Sequence, residues 1–448
     1  MTHPDLSCLS QQLSRSVPSR RIGRVEHVEK GLLRVSGLND VAALGDRLDV
    51  RGPSLAAIGG EVISLAEDTL TMLPEGPLSG VVSGMQVRHL SPLQIAPHQS
   101  WIGRVIDPNG RPLDGHALMP GAEVRPIHAA PPAPATRSGF GKRLETGMAA
   151  FNTFLPIVEG QRIGLFAGSG VGKSSLLGDL AKGLESDLCV IALIGERGRE
   201  LRDFVDRVLG PEGMSRAIIV AATSDSSPLL RRQCAWTAMA IAEFFRDQGQ
   251  HVLFLADSLT RFAEAHREIA LASGEPASLR GYPPSTAHML MSLCERLGPG
   301  GIDEGHITAV LSVLVAGSDM DEPIADIVRG VLDGHIVLDR KIAERGRFPA
   351  IDLLRSVSRS LPDAATPAEN ASLSRGRALA GAYASAEMMV QAGLYVPGAD
   401  PLVDAAVESH QSLDTLMSMR GTMPDSFEAL RYAIGEETDI AVPDVPQL

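Results

Sequence analysis

Cysteine and aromatic residues are both scarce in this chain, with four cysteines and 4% Phe, Trp and Tyr among 448 residues. Cys8, Cys189, Cys234 and Cys294 are scattered without CxxC pairing, so they are read as buried or free thiols of a reducing cytoplasm. No apolar run reaches the roughly 18 residues that a membrane span needs. The N-terminus has no apolar signal core. The expectation is a cytoplasmic protein that reaches a membrane only through a partner. Positive charge is also in deficit: 41 Lys and Arg face 54 Asp and Glu, a formal charge of −13. That balance argues against a large non-specific nucleic-acid surface, which needs a basic excess. The remaining composition, 44% hydrophobic and 21% charged, is that of an ordinary globular protein long enough for two or three cores.

The chain divides by pattern. Residues 1–20 form a leader in which Leu6, Leu9, Leu13 and Val17 share one helical face between Pro4 and Pro18. That face either docks on the chain's own body or is offered to a partner. Residues 21–95 contain short alternating segments, Ile22–Val28, Leu32–Val35, Arg47–Val50, Gly60–Ser64 and Thr69–Met72, separated by turn residues. Strands this short at this spacing suggest a small β-barrel. A Pro/Ala-rich stretch at 129–135 reads as an extended connector. Within residues 96–360, apolar runs at Arg162–Ala167, Leu188–Ile194, Ala217–Ala222, His251–Ala256 and His306–Val315 alternate with helical stretches. One helix, Leu229–Asp247, follows Ser227-Pro228, a cap and first-turn pair. The alternation predicts an α/β fold, a parallel sheet covered by helices. Residues 361–448 read as helical with an acidic tail.

Three segments carry chemistry. Ala167-Gly168-Ser169-Gly170-Val171-Gly172-Lys173-Ser174 follows an apolar strand and leads into a helical stretch. Glycines let backbone N–H groups converge on phosphate oxygens, and the helix N-terminus adds partial positive charge. In such a loop Lys173 reaches the β- and γ-phosphates and the Ser174 hydroxyl binds Mg²⁺, with Ser175 beside it. The run does not give the dinucleotide pattern G-x-G-x-x-G, whose sixth place is held here by Lys173. A second strand ends in Asp257, placed to serve the Mg²⁺ shell. Between them, Gly195-Glu196-Arg197-Gly198-Arg199-Glu200 closes another strand. By spacing alone Glu196 is either the group that polarises water or part of a solvated charged turn.

These segments, in order, resemble the rotary-type ATPases related to the catalytic subunit of the proton ATP synthase. The residues carrying the likeness are GSGVGKS (168–174), GERGRE (195–200), ADSLTRFAEAHREI (256–269), RGYPPST (280–286), GRVIDPNGRPLDG (103–115) and DGHIVLDRKIAERGRFPAIDLLRSVSR (333–359). RGYPPS and GSDMDEPIADIVRGVLDGHI (317–336) direct it toward the type III protein-export ATPases, the flagellar branch before the virulence one. The resemblance implies a RecA-like P-loop core between a small N-terminal β-barrel and a helical C-terminal domain, ATP and Mg²⁺ as ligands, and a homohexamer. It implies that Glu196 activates water, with Arg197 beside it in the motif. Arg359 aligns with an arginine finger inserted by a neighbour, and Phe348 with an aromatic that stacks on adenine, helped by Tyr395. Read without the resemblance, Arg359 is as well a structural ion pair and Phe348 core packing. Implied partners are a regulatory stator-like protein, export chaperones with their cargo, and a membrane export gate. No nucleic acid is expected. Two departures stand out: the family's TGVRAID-like stretch is here Thr146-Gly147-Met148-Ala149-Ala150-Phe151-Asn152, and His266 replaces a common glutamine.

Overall fold

The computed structural model describes residues 21–52, 55–315, 320 and 322–436. The leader at 1–20 and its apolar face therefore lie outside the described residues, as does the acidic tail beyond 436.

Six antiparallel strands close the N-terminal barrel: β1 Ile22–Glu29, β2 Leu32–Ser36, β3 Arg47–Gly52, β4 Leu55–Leu65, β5 Thr69–Pro74 and β6 Gln86–Leu90, in the order β1-β2-β5-β4-β3-β6. Alternation drives it, since Val25, Leu33, Val35, Leu48, Val50, Val62, Leu70, Met72 and Val87 fill the interior. β6 is an addition to the expected strands. Only Val87 of its residues is fully buried, so it carries almost no apolar period, yet it closes the barrel between β1 and β3. β4 is longer than the expected Gly60–Ser64, because the strand runs on through Gly59 and Gly60 back to Leu55. A Cβ on Gly60 would sit 2.4 Å from the Leu73 carbonyl oxygen, so glycine is what permits this close pairing.

The central domain is built on a nine-stranded sheet. After two minor strands of a separate pair, β7 Gln94–Ile95 and β9 Arg125–Pro126, and the edge strand β8 Val105–Ile106, come β10 Arg162–Ala167, β11 Leu188–Glu196, β12 Ala217–Thr223 and β13 Val252–Asp257. They are followed by β14 Gly298–Pro299, β15 His306–Leu314, β16 Gly334–Leu338 and β17 Ile351–Ser358. The order is β17-β16-β10-β15-β13-β11-β12-β8, with β14 pairing β15. The strands from β16 across to β8 run parallel, and β17 is antiparallel to β16. β11 and β13 are near-continuously buried, as a parallel sheet covered on both faces requires. The helix Pro228–Arg246 starts where Ser227 accepts the Leu230 N–H.

Barrel and sheet are joined by side chains. Leu32, Ile63 and Leu73 of the barrel pack on Leu229 and Ile269 of the core. Next to them Arg232 donates to Glu61 at 2.7 Å, with both side chains nearly buried. The C-terminal part holds three helices, Pro367–Gln391, Pro401–Ser418 and Met423–Ala433, each with a capping side chain at its start (Thr366, Asp400, Thr422). Among the described residues no helix is long and apolar enough to cross a membrane. Cys189, Cys234 and Cys294 are free and buried, and burial pushes the Cys189 thiol up to about 12.

Candidate nucleotide site

The loop 168–172 turns between β10 and the helix Lys173–Gly183. Gly170 and Gly172 have φ of 78° and 87°, a region that L side chains rarely adopt. Gly172 is constrained twice, because an added Cβ would also come within 3.2 Å of the Phe348 ring. No described side chain caps the helix Lys173–Gly183, in contrast to the serine-capped helices Pro228–Arg246 and Leu259–Ala272. Its first-turn N–H groups are thus left for an anion. On the other side of the loop, Arg340 donates to the Ser169 carbonyl at 3.1 Å.

A cavity of about 810 Å³ opens above the loop. Gly168, Ser169, Gly170, Gly172, Lys173, Ser174 and Ser175 line it, and so do Glu196 and Arg197. Ala167 and Val171 are instead buried in the hydrophobic core beneath. Asp257 ends β13 beside β11 and is 3% exposed. Its Oδ1 pairs with Lys173 Nζ and accepts the Ser312 hydroxyl at 2.8 Å. Glu196 ends β11 after a register shift at Gly195, whose φ is 72°. Burial pushes the Glu196 carboxyl up to about 7, helped by the charge of Asp257 and by a hydrogen bond with Glu200, while Lys173 opposes the rise. Arg197 is an open side chain, 80% exposed, 3.7 Å from Glu200.

Ser174, Glu196, Glu200, Asp203 and Asp257 meet in an adjoining recess. The polar side chains there are all oxygen donors, the set a hard cation takes. Among the described residues no three acidic, His or Cys side chains are arranged to hold a metal alone. Mg²⁺ fits such a place, because it is bound through few protein oxygens and completes its shell with phosphate oxygens and water.

Two arginines that motif reading passed over share the main cavity, Arg231 and Arg261. Both approach Gly195, where an added Cβ would meet Arg261 at 3.4 Å and Arg231 at 3.5 Å, and Glu268 and Glu264 hold Arg231 and Arg261 at 2.9 and 2.8 Å. A signal was present: both lie in first turns of helices that start at the carboxyl end of the sheet, where ligands bind in open α/β folds.

Phe348 lies between β16 and β17 with its ring against Gly172 and is 52% exposed, so it is no core residue. Tyr395 sits between two C-terminal helices, where its hydroxyl donates to Asp404 and its phenol is pushed up to about 12. It does not line the loop cavity. Arg359 follows β17 directly. Ser358 pairs with Gly334 at the start of β16, whereas the phosphate loop leaves the opposite, carboxyl end of β10. Arg359 is therefore on the order of 13 Å along the sheet from its own chain's loop, at about 3.3 Å per residue.

Neither sequence departure touches the cavity. Asn152 accepts from Thr146 and donates to the Gly421 carbonyl at 3.0 Å, tying this stretch to the C-terminal helices. His266 contacts Ser285 at 2.8 Å, and burial brings its imidazole down to about 4.

Residues 147–358 match the model of the ATP synthase alpha/beta family, nucleotide-binding domain, and residues 365–433 that of the T3SS EscN ATPase C-terminal domain. A flagellum-specific ATP synthase of Caulobacter vibrioides is 43% identical over 436 residues, 95% of this chain and 98% of the relative. A type 3 secretion system ATPase of Sinorhizobium fredii is 44% identical over 373 residues, 83% of this chain and 82% of the relative. The assembled ATPase EscN of the enteropathogenic E. coli type III secretion system superposes with a TM-score of 0.86 at 35% identity, covering 92% of this chain and 100% of that one. The likeness thus runs over nearly the whole length, barrel to helical end, and the chain belongs to the ATP synthase alpha/beta family, in its branch of flagellum-specific ATP synthases and type 3 secretion system ATPases.

Proposed function

We propose that this chain hydrolyses ATP as the subunit of a homohexameric ring that energises protein export through a flagellar type III apparatus. One observation carries the reading: Lys173, Ser174, Glu196 and the buried Asp257 converge at the carboxyl end of one sheet, around one phosphate-sized loop. The loop N–H groups and Lys173 bind the phosphates. Glu196, as carboxylate, orients the attacking water and takes its proton. Ser174 and Asp257 would hold Mg²⁺, which would supply charge neutralisation on the phosphoryl oxygens. Phe348 offers an exposed ring for the adenine face. Arg359, out of reach of its own loop, serves the adjoining subunit. A stator-like regulator, chaperones with their cargo and a membrane export gate are the partners of this reading, with peripheral attachment to the inner membrane through them.

The relatives named flagellum-specific favour the flagellar system, and the Sinorhizobium relative supports a virulence-type apparatus as the second reading. The test is twofold. Purified protein is expected to hydrolyse ATP equally with and without RNA, and deletion of the gene to abolish the flagellar filament. RNA-stimulated turnover would favour a nucleic-acid motor, and an intact filament with lost effector secretion would favour the virulence system.

Glu196 also sets a pH dependence. With its carboxyl at about 7, the reactive carboxylate is lost as pH falls through neutrality. Turnover is expected to rise between about pH 6 and pH 8. Glu200→Ala removes both a hydrogen bond and a charge that raise this value, so the acid limb of the kcat/KM profile should move to lower pH. An unmoved limb would show that another group governs it.

A further inference from the structure

The loop strand β10 and the Asp257 strand β13 are not neighbours in the sheet. β15 runs between them, parallel to both. Its register puts Ser312 level with Leu165 on one side, and Leu311 level with Ala256 on the other. Ser312 therefore stands beside Asp257 in the middle of the sheet. It is the polar exception in the run Ala309-Val310-Leu311-Ser312-Val313 and is 0% exposed. A hydroxyl buried there without a partner is costly, so the residue at this place has to be explained by what it bonds. It donates to Asp257 Oδ1 at 2.8 Å, the same oxygen that pairs with Lys173 Nζ.

We propose that Ser312 is a positioning residue of the ATPase reaction, holding the Asp257 carboxylate in the orientation that serves the metal and phosphates. The inference rests on the functional reading above and deepens it. Lys173 has a long, flexible stem and must turn its ammonium to the phosphates to act on them. Asp257 Oδ1 then gives up its strongest partner. Ser312 has a short side chain fixed to a central strand, so its hydroxyl remains and keeps Oδ1 in place at the edge of the recess that Asp257 lines.

The test compares Ser312→Ala and Ser312→Thr with the wild-type full chain. It measures the Mg²⁺ concentration for half-maximal ATPase activity, and the Kd of a fluorescent ATP analogue in EDTA and in Mg²⁺. Ser312→Ala is expected to need about 10-fold more Mg²⁺, the size of one charge-assisted hydrogen bond. The tightening of ATP binding by Mg²⁺ should shrink by a similar factor, with the Kd in EDTA unchanged. Ser312→Thr keeps the hydroxyl on a residue that strands accept and should restore both values. Wild-type Mg²⁺ dependence in Ser312→Ala would overturn the proposal. So would an equal loss of binding in EDTA, or a folded Ser312→Thr that behaves like the alanine variant. A wild-type chain without ATPase activity would overturn the functional reading instead, and the two binding constants would still decide the part played by Ser312.

Discussion

Glu196→Gln is expected to leave ATP affinity nearly intact and to lower turnover by at least ~100-fold. The substitution is isosteric, so the end of β11 and the bond from Ser224 N–H to the Glu196 carbonyl should stay as they are. The phosphate loop, Lys173 and Ser174 are untouched, so the groups that bind ATP remain. What disappears is a half-buried carboxylate facing the loop, the group that can accept a proton from water there. Removing a negative charge next to Asp257 also relieves repulsion, so binding should tighten if it changes at all. Nucleotide affinity and phosphate release have to be measured separately, because a combined assay would confuse the two. Turnover near the wild-type rate would remove Glu196 from the role. A variant that loses affinity in proportion to turnover would assign it to binding instead.

Arg359→Ala should lower turnover by ~10³-fold, the low end of what an arginine finger contributes. The geometry makes a stronger demand. The residue follows β17 at the end of the sheet away from its own loop, so the finger role proposed for it requires a target on another subunit. Specific activity should rise with protein concentration as rings assemble. Arg359→Ala chains mixed with Lys173→Ala chains should recover activity that neither has alone. On random mixing in a closed ring, about a quarter of interfaces pair an intact loop with an intact finger. If mixed rings form and show no activity, Arg359 does not act across the interface, and the structural ion pair becomes its better reading.

Different physical signals made different parts of this protein legible. The phosphate loop was readable because its demands are local: positive φ at glycines, a lysine and a serine at fixed offsets, a helix directly after. The buried strands were readable from long apolar runs, and five barrel strands from alternation. β6 was not, because Val87 is its one fully buried residue and a single apolar residue has no period. Ser312 was invisible for another reason. Nothing around it in sequence announces a partner, and it meets Asp257 only because strand order places β15 between β10 and β13. Arg231 and Arg261 were hidden in the same way, being ordinary helix residues until both are seen to approach Gly195. Glu196 and Arg359 were read from likeness to a family rather than from spacing. The structure adds a raised carboxyl for the first and a place out of reach of its own loop for the second.

The first turn of the helix Pro228–Arg246 holds three consecutive residues with three different attachments. Leu230 gives its N–H to the Ser227 cap, Arg231 lines the nucleotide cavity, and Arg232 grips Glu61 of the barrel. Leu229, one residue earlier, is packed under the barrel strands. The barrel thus hangs from the ATP-facing turn itself and not from a slack tether. In mechanical terms this turn is a crank pin. A shift of this turn at the cavity would reach the barrel through the adjoining residue, within the length of one peptide unit.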